Sequence, residues 1–270
     1  MNKLKQYFSL LKFSIINPKA GVEIVKTEKQ VRKDSKNEIK KLNTNPKKIE
    51  EIINELFPKM EFSVNQFYEE TQSLRNHINL FYEKLNDKKF PSKEKPYPTD
   101  YSVPVNSGLL IYIICKTINP KKIFETGVAY GHSSCFILEA LSKNENSKLF
   151  SIDSIFRPWE TKEKIGSMIP EKLKRNWEIN FGSSKNNLKK LLDREKEIDI
   201  FLHDSLHTYD NMIFEFETAW KYIKKDGFLL SDDISGNNAF YDFCQKNNLK
   251  PLILKQDNGK KLEMGIIRKK

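Results

Sequence analysis

From Val105 onward, short β-prone runs alternate with segments of helical length. The pattern predicts a helix over 105–117, a strand over 122–125, a helix over 133–141 and a strand over 148–152. It continues with a strand over 177–181, a helix over 184–192, a strand over 198–202, a helix over 211–223 and a strand over 228–231. A helix over 237–247 and strands near 252–254 and 264–267 finish the chain. This alternation predicts an α/β fold, a doubly wound, mostly parallel sheet with ligands at the carboxyl ends of its strands. Ahead of it, Ile49, Ile52, Ile53 and Leu56, then Phe62, Val64, Phe67, Leu74, Ile78 and Phe81, recur at helical spacing and predict two helices broken at Phe57-Pro58. Pro91, Pro96, Pro98 and Pro104 mark a linker or lid-forming loop. Residues 1–46 are rich in Lys and Asn, with one amphipathic helix expected near 7–16.

The chain thus divides into a basic, flexible leader (1–46), a helical accessory segment with a Pro-containing linker (47–104) and a catalytic-sized α/β domain (105–270).

Charge sharpens this division. The 47 Lys and Arg outnumber the 36 Asp and Glu, giving a formal charge of +11. Residues 1–60 hold 14 of those bases against 7 acids, so a surplus of 7 sits in the leading segment. Phosphates, nucleic acid or an anionic membrane face are admissible partners on charge alone. Cys115, Cys135 and Cys244 lie far apart among apolar residues, with no CxxC pair, and read as reduced core residues. Lys12 interrupts the apolar start, no small-residue cleavage site follows, and no apolar run has transmembrane length. A cytoplasmic protein is the expectation.

The first candidate chemistry is Ile123-Phe124-Glu125-Thr126-Gly127, a buried strand that ends at an acid and breaks at glycine. Glycine permits positive φ and close approach of backbone to a ligand. A dinucleotide loop would read G-x-G-x-x-G, with pyrophosphate on the helix N-terminus. Here Gly127 and Gly131 are spaced G-x-x-x-G behind an acid, which suits a cationic ligand and repels a pyrophosphate. Asp153 ends the next strand, placed to accept ribose hydroxyls, and Gly182-Ser183-Ser184 follows the strand after that, placed to border an adenine. A glycine turn after a strand is often only a turn. The ordered set is more specific.

In that order, Glu125-x-Gly127-x-x-x-Gly131, Asp153 and Gly182-Ser183-Ser184 resemble the motifs of class I S-adenosylmethionine (SAM)-dependent methyltransferases over roughly residues 105–270. The runs Ile198 to Tyr209 and Gly227 to Asp233 resemble, more narrowly, the methyltransferase domain 24 family, related to catechol-type and other small-molecule O-methyltransferases. The resemblance implies a Rossmann-like methyltransferase fold and SAM as cofactor, held by Glu125, Gly127, Gly131, Asp153 and Ser183. The sulfonium and ammonium of SAM agree with the acidic strand end. One departure is Ala129, where such loops often carry a middle glycine.

A second constellation follows the strands over 198–202 and 228–231. Asp204, Asp232 and Asp233 converge if those strands are neighbours, and three carboxylates there repel. Either a hard divalent cation neutralises them, as Mg²⁺ does with oxygen ligands, or some face solvent or helix N-termini. The resemblance to catechol-type enzymes carries the metal reading onto Asp204, Asp232 and Asp233. Methyl transfer needs alignment and removal of the acceptor's proton. His207 is the expected base, with Asp204 as its catalytic neighbour; the bland alternative is that His207 and Tyr209 cap the turn. His203 reads as a strand end, His132 as a pocket-shaping or capping residue and His77 as structural. Arg157 and Trp159 read equally as substrate contacts or surface packing.

The leading expectation is therefore O-methylation of a small-molecule or sugar-like acceptor. An RNA or protein methyltransferase, or a cofactor-binding protein without turnover, are the alternatives. No aromatic-basic interleaving of an RNA-binding module accompanies the basic leader. Monomer and homo-oligomer both stay open.

Overall fold

The computed structural model describes residues 3–40, 42, 44–61, 63–99, 103–255 and 263–270. Five helices lead, α1 (Lys3–Ile16), α2 (Pro18–Asp34), α3 (Ile49–Leu56), α4 (Val64–Glu70) and α5 (Gln72–Asn86). The α/β part runs α6 (Val105–Ile118), β1 (Lys122–Thr126), α7 (His132–Leu141), β2 (Lys148–Asp153), β3 (Trp177–Phe181), α8 (Ser184–Glu195), β4 (Ile198–His203), α9 (Tyr209–Trp220), β5 (Ile223–Ser231), α10 (Ala239–Lys246), β6 (Leu252–Leu254) and β7 (Met264–Arg268). The sheet order is β3-β2-β1-β4-β5-β7-β6. Strands β1 to β5 pair in parallel, and β7 runs antiparallel between β5 and β6. This is the doubly wound, mostly parallel sheet expected, with helices added ahead of it.

The two-residue period of the strands divides the core between two faces. Ile123, Leu149, Ile200 and Leu230 pack on one side with Ile52, Leu110 and Phe136. Phe124, Phe150, Phe201 and Leu229 pack on the other with Leu188, Phe216 and Phe240. The accessory helices are thereby part of the main core, since Ile52 of α3 and Ile78 of α5 are buried in the same cluster as β1. The chain order reverses between β1 and β4, which opens a crevice at their carboxyl ends.

Several boundaries differ from the sequence expectation. The leader holds two helices: Pro18 restarts the chain at the first turn of α2, where its missing N–H costs nothing. Its far end is tied down, because the buried carboxylate of Asp34 accepts from the backbone N–H of Tyr209 at 2.9 Å. Helix α9 stops at Trp220 and β5 begins at Ile223, since the polar run Lys224-Lys225-Asp226 masks a strand register that resumes at Phe228. The crossover after β2 forms two 3-10 turns, Lys162–Lys164 and Glu171–Asn176, that no periodicity announced. Phe62 lies outside the described residues. All three cysteines are unpaired and buried. Among the described residues no helix is long and apolar enough to cross a membrane.

Candidate active site

The loop after β1 is built on positive φ. Gly127 sits at φ +82, and a Cβ there would lie 1.9 Å from the carbonyl oxygen of Asp204, so the loop and the end of β4 touch through backbone alone. Gly131, at φ +97, caps α7 and packs against Ile169 of the crossover. Ala129 also stands in the left-handed region, at φ +46. The position that departs from the glycine pattern thus keeps a glycine-like backbone at a steric cost of about 1 kcal/mol. The crossover braces this loop through Gly166 N–H to Ala129 O, 2.9 Å, and Met168 N–H to Tyr130 O, 3.0 Å.

Glu125 is buried beneath the loop. Its carboxylate accepts from the hydroxyls of Ser133 at 2.5 Å, Ser134 at 2.6 Å and Ser151 at 2.8 Å. Burial pushes its carboxyl above the usual carboxylate range, against the opposing pull of the three serines. Its charge thus lies under the loop, in contact with serines. Asp153 clamps the loop to β2: one oxygen accepts from Val128 N–H at 2.9 Å and Ala129 N–H at 2.8 Å, the other from Ser154 N–H at 2.6 Å. Burial raises this carboxyl too, while the backbone donors lower it. Ser183 is the residue before α8, and Gly182 N–H donates to Asp153 O at 2.8 Å, so the ends of β2 and β3 adjoin.

The parallel register of β4 and β5 pairs His203 with Ser231, which places the next residues, Asp204 and Asp232, side by side. Asp204 N–H donates to Thr126 O and Asp232 N–H to His203 O, both at 2.9 Å, extending the ladder to the site. One ligating atom each of Asp204, His207 and Asp232 lie within 4.8 Å of one another; Asp232 is buried, and the other two keep some accessible surface. Asp233 is not in this trio. Its backbone turns to φ +46, and it is the weakest of the four acids acting on Asp204. Burial and those acids, Asp232 first, then Glu125, Asp153 and Asp233, hold the Asp204 carboxyl well above its ordinary value. Burial, helped by the adjacent His203, drives the conjugate acid of His207 down from 6.5 to about 3. An imidazole so desolvated is neutral at ordinary pH. Its Nε2 is buried without a hydrogen-bond partner.

Sequence reading missed what lies behind this trio. Glu215 of α9 is fully buried and accepts from His203 Nδ1 at 2.6 Å, Thr126 Oγ1 at 2.5 Å, Ser205 Oγ at 2.9 Å and Asn211 Nδ2 at 3.0 Å. Burial alone would raise its carboxyl, but the charge of and hydrogen bond from His203, with hydroxyl bonds, bring it below the usual range. The His203 and His207 rings meet edge to face at 5.1 Å. The signal was an acid at the apolar spacing Met212, Glu215, Phe216, Ala219. On the other side of the loop, Tyr82, Tyr97 and Phe81 surround Tyr130. His132 stacks on Phe136, and burial lowers it from 6.5 to about 4. His77 reaches Met168 O at 2.8 Å, a structural tie. Tyr209 donates to Asp242 at 3.0 Å, away from the trio, and Trp159 is buried rather than on the surface.

A family model described as a methyltransferase domain matches residues 124–234, the stretch from β1 to just past β5. Solved structures share the fold. An O-methyltransferase from Bacillus cereus in complex with SAH is 14% identical over 82% of this chain and 97% of its own, with a TM-score of 0.52. An O-methyltransferase from Streptomyces achromogenes involved in tomaymycin synthesis, in complex with SAM, is 16% identical over 72% of this chain and 96% of its own, TM-score 0.54. An SAH-bound methyltransferase from Podospora anserina is 16% identical over 74% of this chain and 97% of its own, TM-score 0.51. No curated protein sequence matches the chain. Residues 124–234 thus resemble a methyltransferase domain, and at these identities the likeness to the solved structures is one of fold.

Proposed function

Taking a class I methyltransferase domain as the premise, we propose that this chain transfers a methyl group from SAM to a hydroxyl of a small-molecule or sugar-like acceptor. The observation that carries the proposal is the abutment of loop and trio: Gly127 touches the Asp204 backbone, so a ligand on the loop ends beside Asp204, His207 and Asp232. The surroundings fit a cationic cofactor, because Glu125, Asp153, Asp232 and Asp233 all raise Asp204 through their negative charge. When bound, SAM supplies the electrophilic methyl. Gly127 and Gly131 allow backbone approach, Asp153 keeps capacity beside its Ser154 bond for a ribose hydroxyl, and Ser183 borders the adenine side. Glu125 acts on the cofactor's charge from beneath the loop.

The donor set also fits a divalent cation, through two carboxylates and a neutral imidazole whose Nε2 has no other partner. Asp204, Asp232 and His207 would hold it, with Asp233 adding charge. A cation held there supplies the positive charge that makes an acceptor hydroxyl more acidic. Asp204 and His207 are the two groups beside the acceptor that can take up its proton. Glu215 fixes His203, and His203 backs His207.

The test is transfer of labelled methyl from SAM to a panel of phenolic and sugar-like hydroxyl acceptors, with Mg²⁺ or EDTA. Turnover that needs Mg²⁺ and vanishes in Asp204→Asn supports the proposal. Turnover on RNA or protein alone, or on none of the acceptors, overturns it.

A further inference from the structure

Helix α1 is apolar on two sides. Its inner side, with Leu10 and Phe13 partly buried, packs chiefly on α2. The fit is close, since a Cβ on Gly21 would meet Ser14 Cβ at 2.8 Å. Its outer side carries Tyr7, Phe8, Leu11 and Ile15, exposed at 66%, 60%, 49% and 72%. At 3.6 residues per turn these four fall within an arc of about 100°. Lys5 and Lys12 are exposed and lie along one edge of that arc. Lys3, Lys5, Lys12 and Lys19 are the only charged side chains before Glu23.

We propose that α1 is an amphipathic anchor that lays this stripe into the surface of an anionic lipid bilayer. The inner face already has its partner in α2, so the outer stripe is surplus to folding. Two aromatic and two aliphatic side chains beside a lysine edge suit a helix lying in the headgroup region. The uninterrupted positive charge selects among occupants: it repels a second copy of α1 and attracts an anionic surface, at roughly fivefold in affinity per lysine that reaches it. Leu11 and Ile15 offer nothing to a nucleic-acid phosphate or base. The anchor is not a loose tail. Asp34, at the end of α2, accepts from Gln30 Nε2 at 2.8 Å and from Tyr209 N–H at 2.9 Å, which fastens the helix pair to the start of α9.

Co-sedimentation of the full chain with phosphatidylcholine vesicles, with and without phosphatidylglycerol, tests the proposal. The expected result is binding to the anionic vesicles, weakened by salt. It drops more than about tenfold in the Phe8→Asp/Leu11→Asp double variant and by about 25-fold in Lys5→Ala/Lys12→Ala when both lysines reach the surface. Both pairs are exposed, so an unchanged Tm separates loss of binding from loss of folding. Four outcomes overturn the proposal: no sedimentation with anionic vesicles, equal sedimentation of the double variant, a concentration-dependent dimer abolished by the double variant without vesicle binding, or salt-sensitive binding of single-stranded RNA in place of vesicles.

Discussion

Glu125 at the end of β1 and Asp204 just past the end of β4 are two acids on neighbouring strands in very different surroundings. Glu125 is enclosed by three serine hydroxyls that satisfy it. Asp204 is surrounded by other acids, with His207 across from it. A buried acid with its donors in place belongs to the scaffold, and removing it leaves those donors without an acceptor. A partly buried acid among acids is unfavourable in isolation and becomes favourable with a positive partner, whether a cationic ligand or a metal. Under the proposed function, the contrast separates the acid that holds the loop from the acid placed beside the acceptor.

The largest expected effect breaks the second half of that comparison. Asp204→Asn lowers kcat/KM by on the order of 10³-fold, since it removes a group placed at the reacting atoms, while Tm stays level or rises because repulsion is relieved. Steady-state kinetics beside a thermal melt measures both. Glu125→Ala reverses the pattern: stability falls by about 3 kcal/mol or more, as three hydroxyls lose their acceptor, and urea unfolding reports it. Activity in that variant falls below the folded fraction as well, since the cofactor loses the negative charge beneath the loop.

A pH series sharpens the comparison further. The Asp204 carboxyl is raised in the folded protein, so its contribution to stability is fully present below the ordinary carboxylate value and is lost as pH rises through the folded one. Glu125 and Asp153 are raised as well and share the trend. In EDTA, unfolding free energy is expected to decline as pH climbs above the ordinary carboxylate range. Asp204→Asn makes the decline shallower, and saturating Mg²⁺ does the same in the wild type. The smallest effect is at Ala129→Gly, where removing a left-handed alanine returns about 1 kcal/mol of strain and gives back part of it as unfolded-chain entropy. A Tm change within a few degrees, with cofactor binding retained, is the expected result.

Much of this was legible in the chain because periodicity and punctuation agreed. β3 was bounded correctly on Trp177–Phe181, and the glycines at 127 and 131 marked the positive-φ turns. The two acids Asp204 and Asp232 were placed together from strand ends alone, and the β4–β5 register bears out their adjacency. What was hidden depended on contacts that sequence spacing does not carry. The three serines around Glu125 come from α7 and β2, and Glu215 reaches His203 from across α9. The base role expected of His207 assumed an ordinary imidazole, and the burial that lowers its conjugate acid to about 3 is likewise not carried by spacing. The second helix of the leader was missed because its apolar residues are few, and its hold on the domain includes polar ties such as the buried aspartate Asp34.

The central claim, that a SAM-type ligand sits on the loop between Glu125 and Gly131 beside Asp204, is tested most directly by calorimetry with S-adenosylhomocysteine. The account predicts one-to-one binding by the wild type, a loss of at least about tenfold in Asp153→Ala, and near-normal binding by Asp204→Asn, which would leave the loop intact. A folded wild type that gives no binding heat at any pH or Mg²⁺ concentration would contradict it.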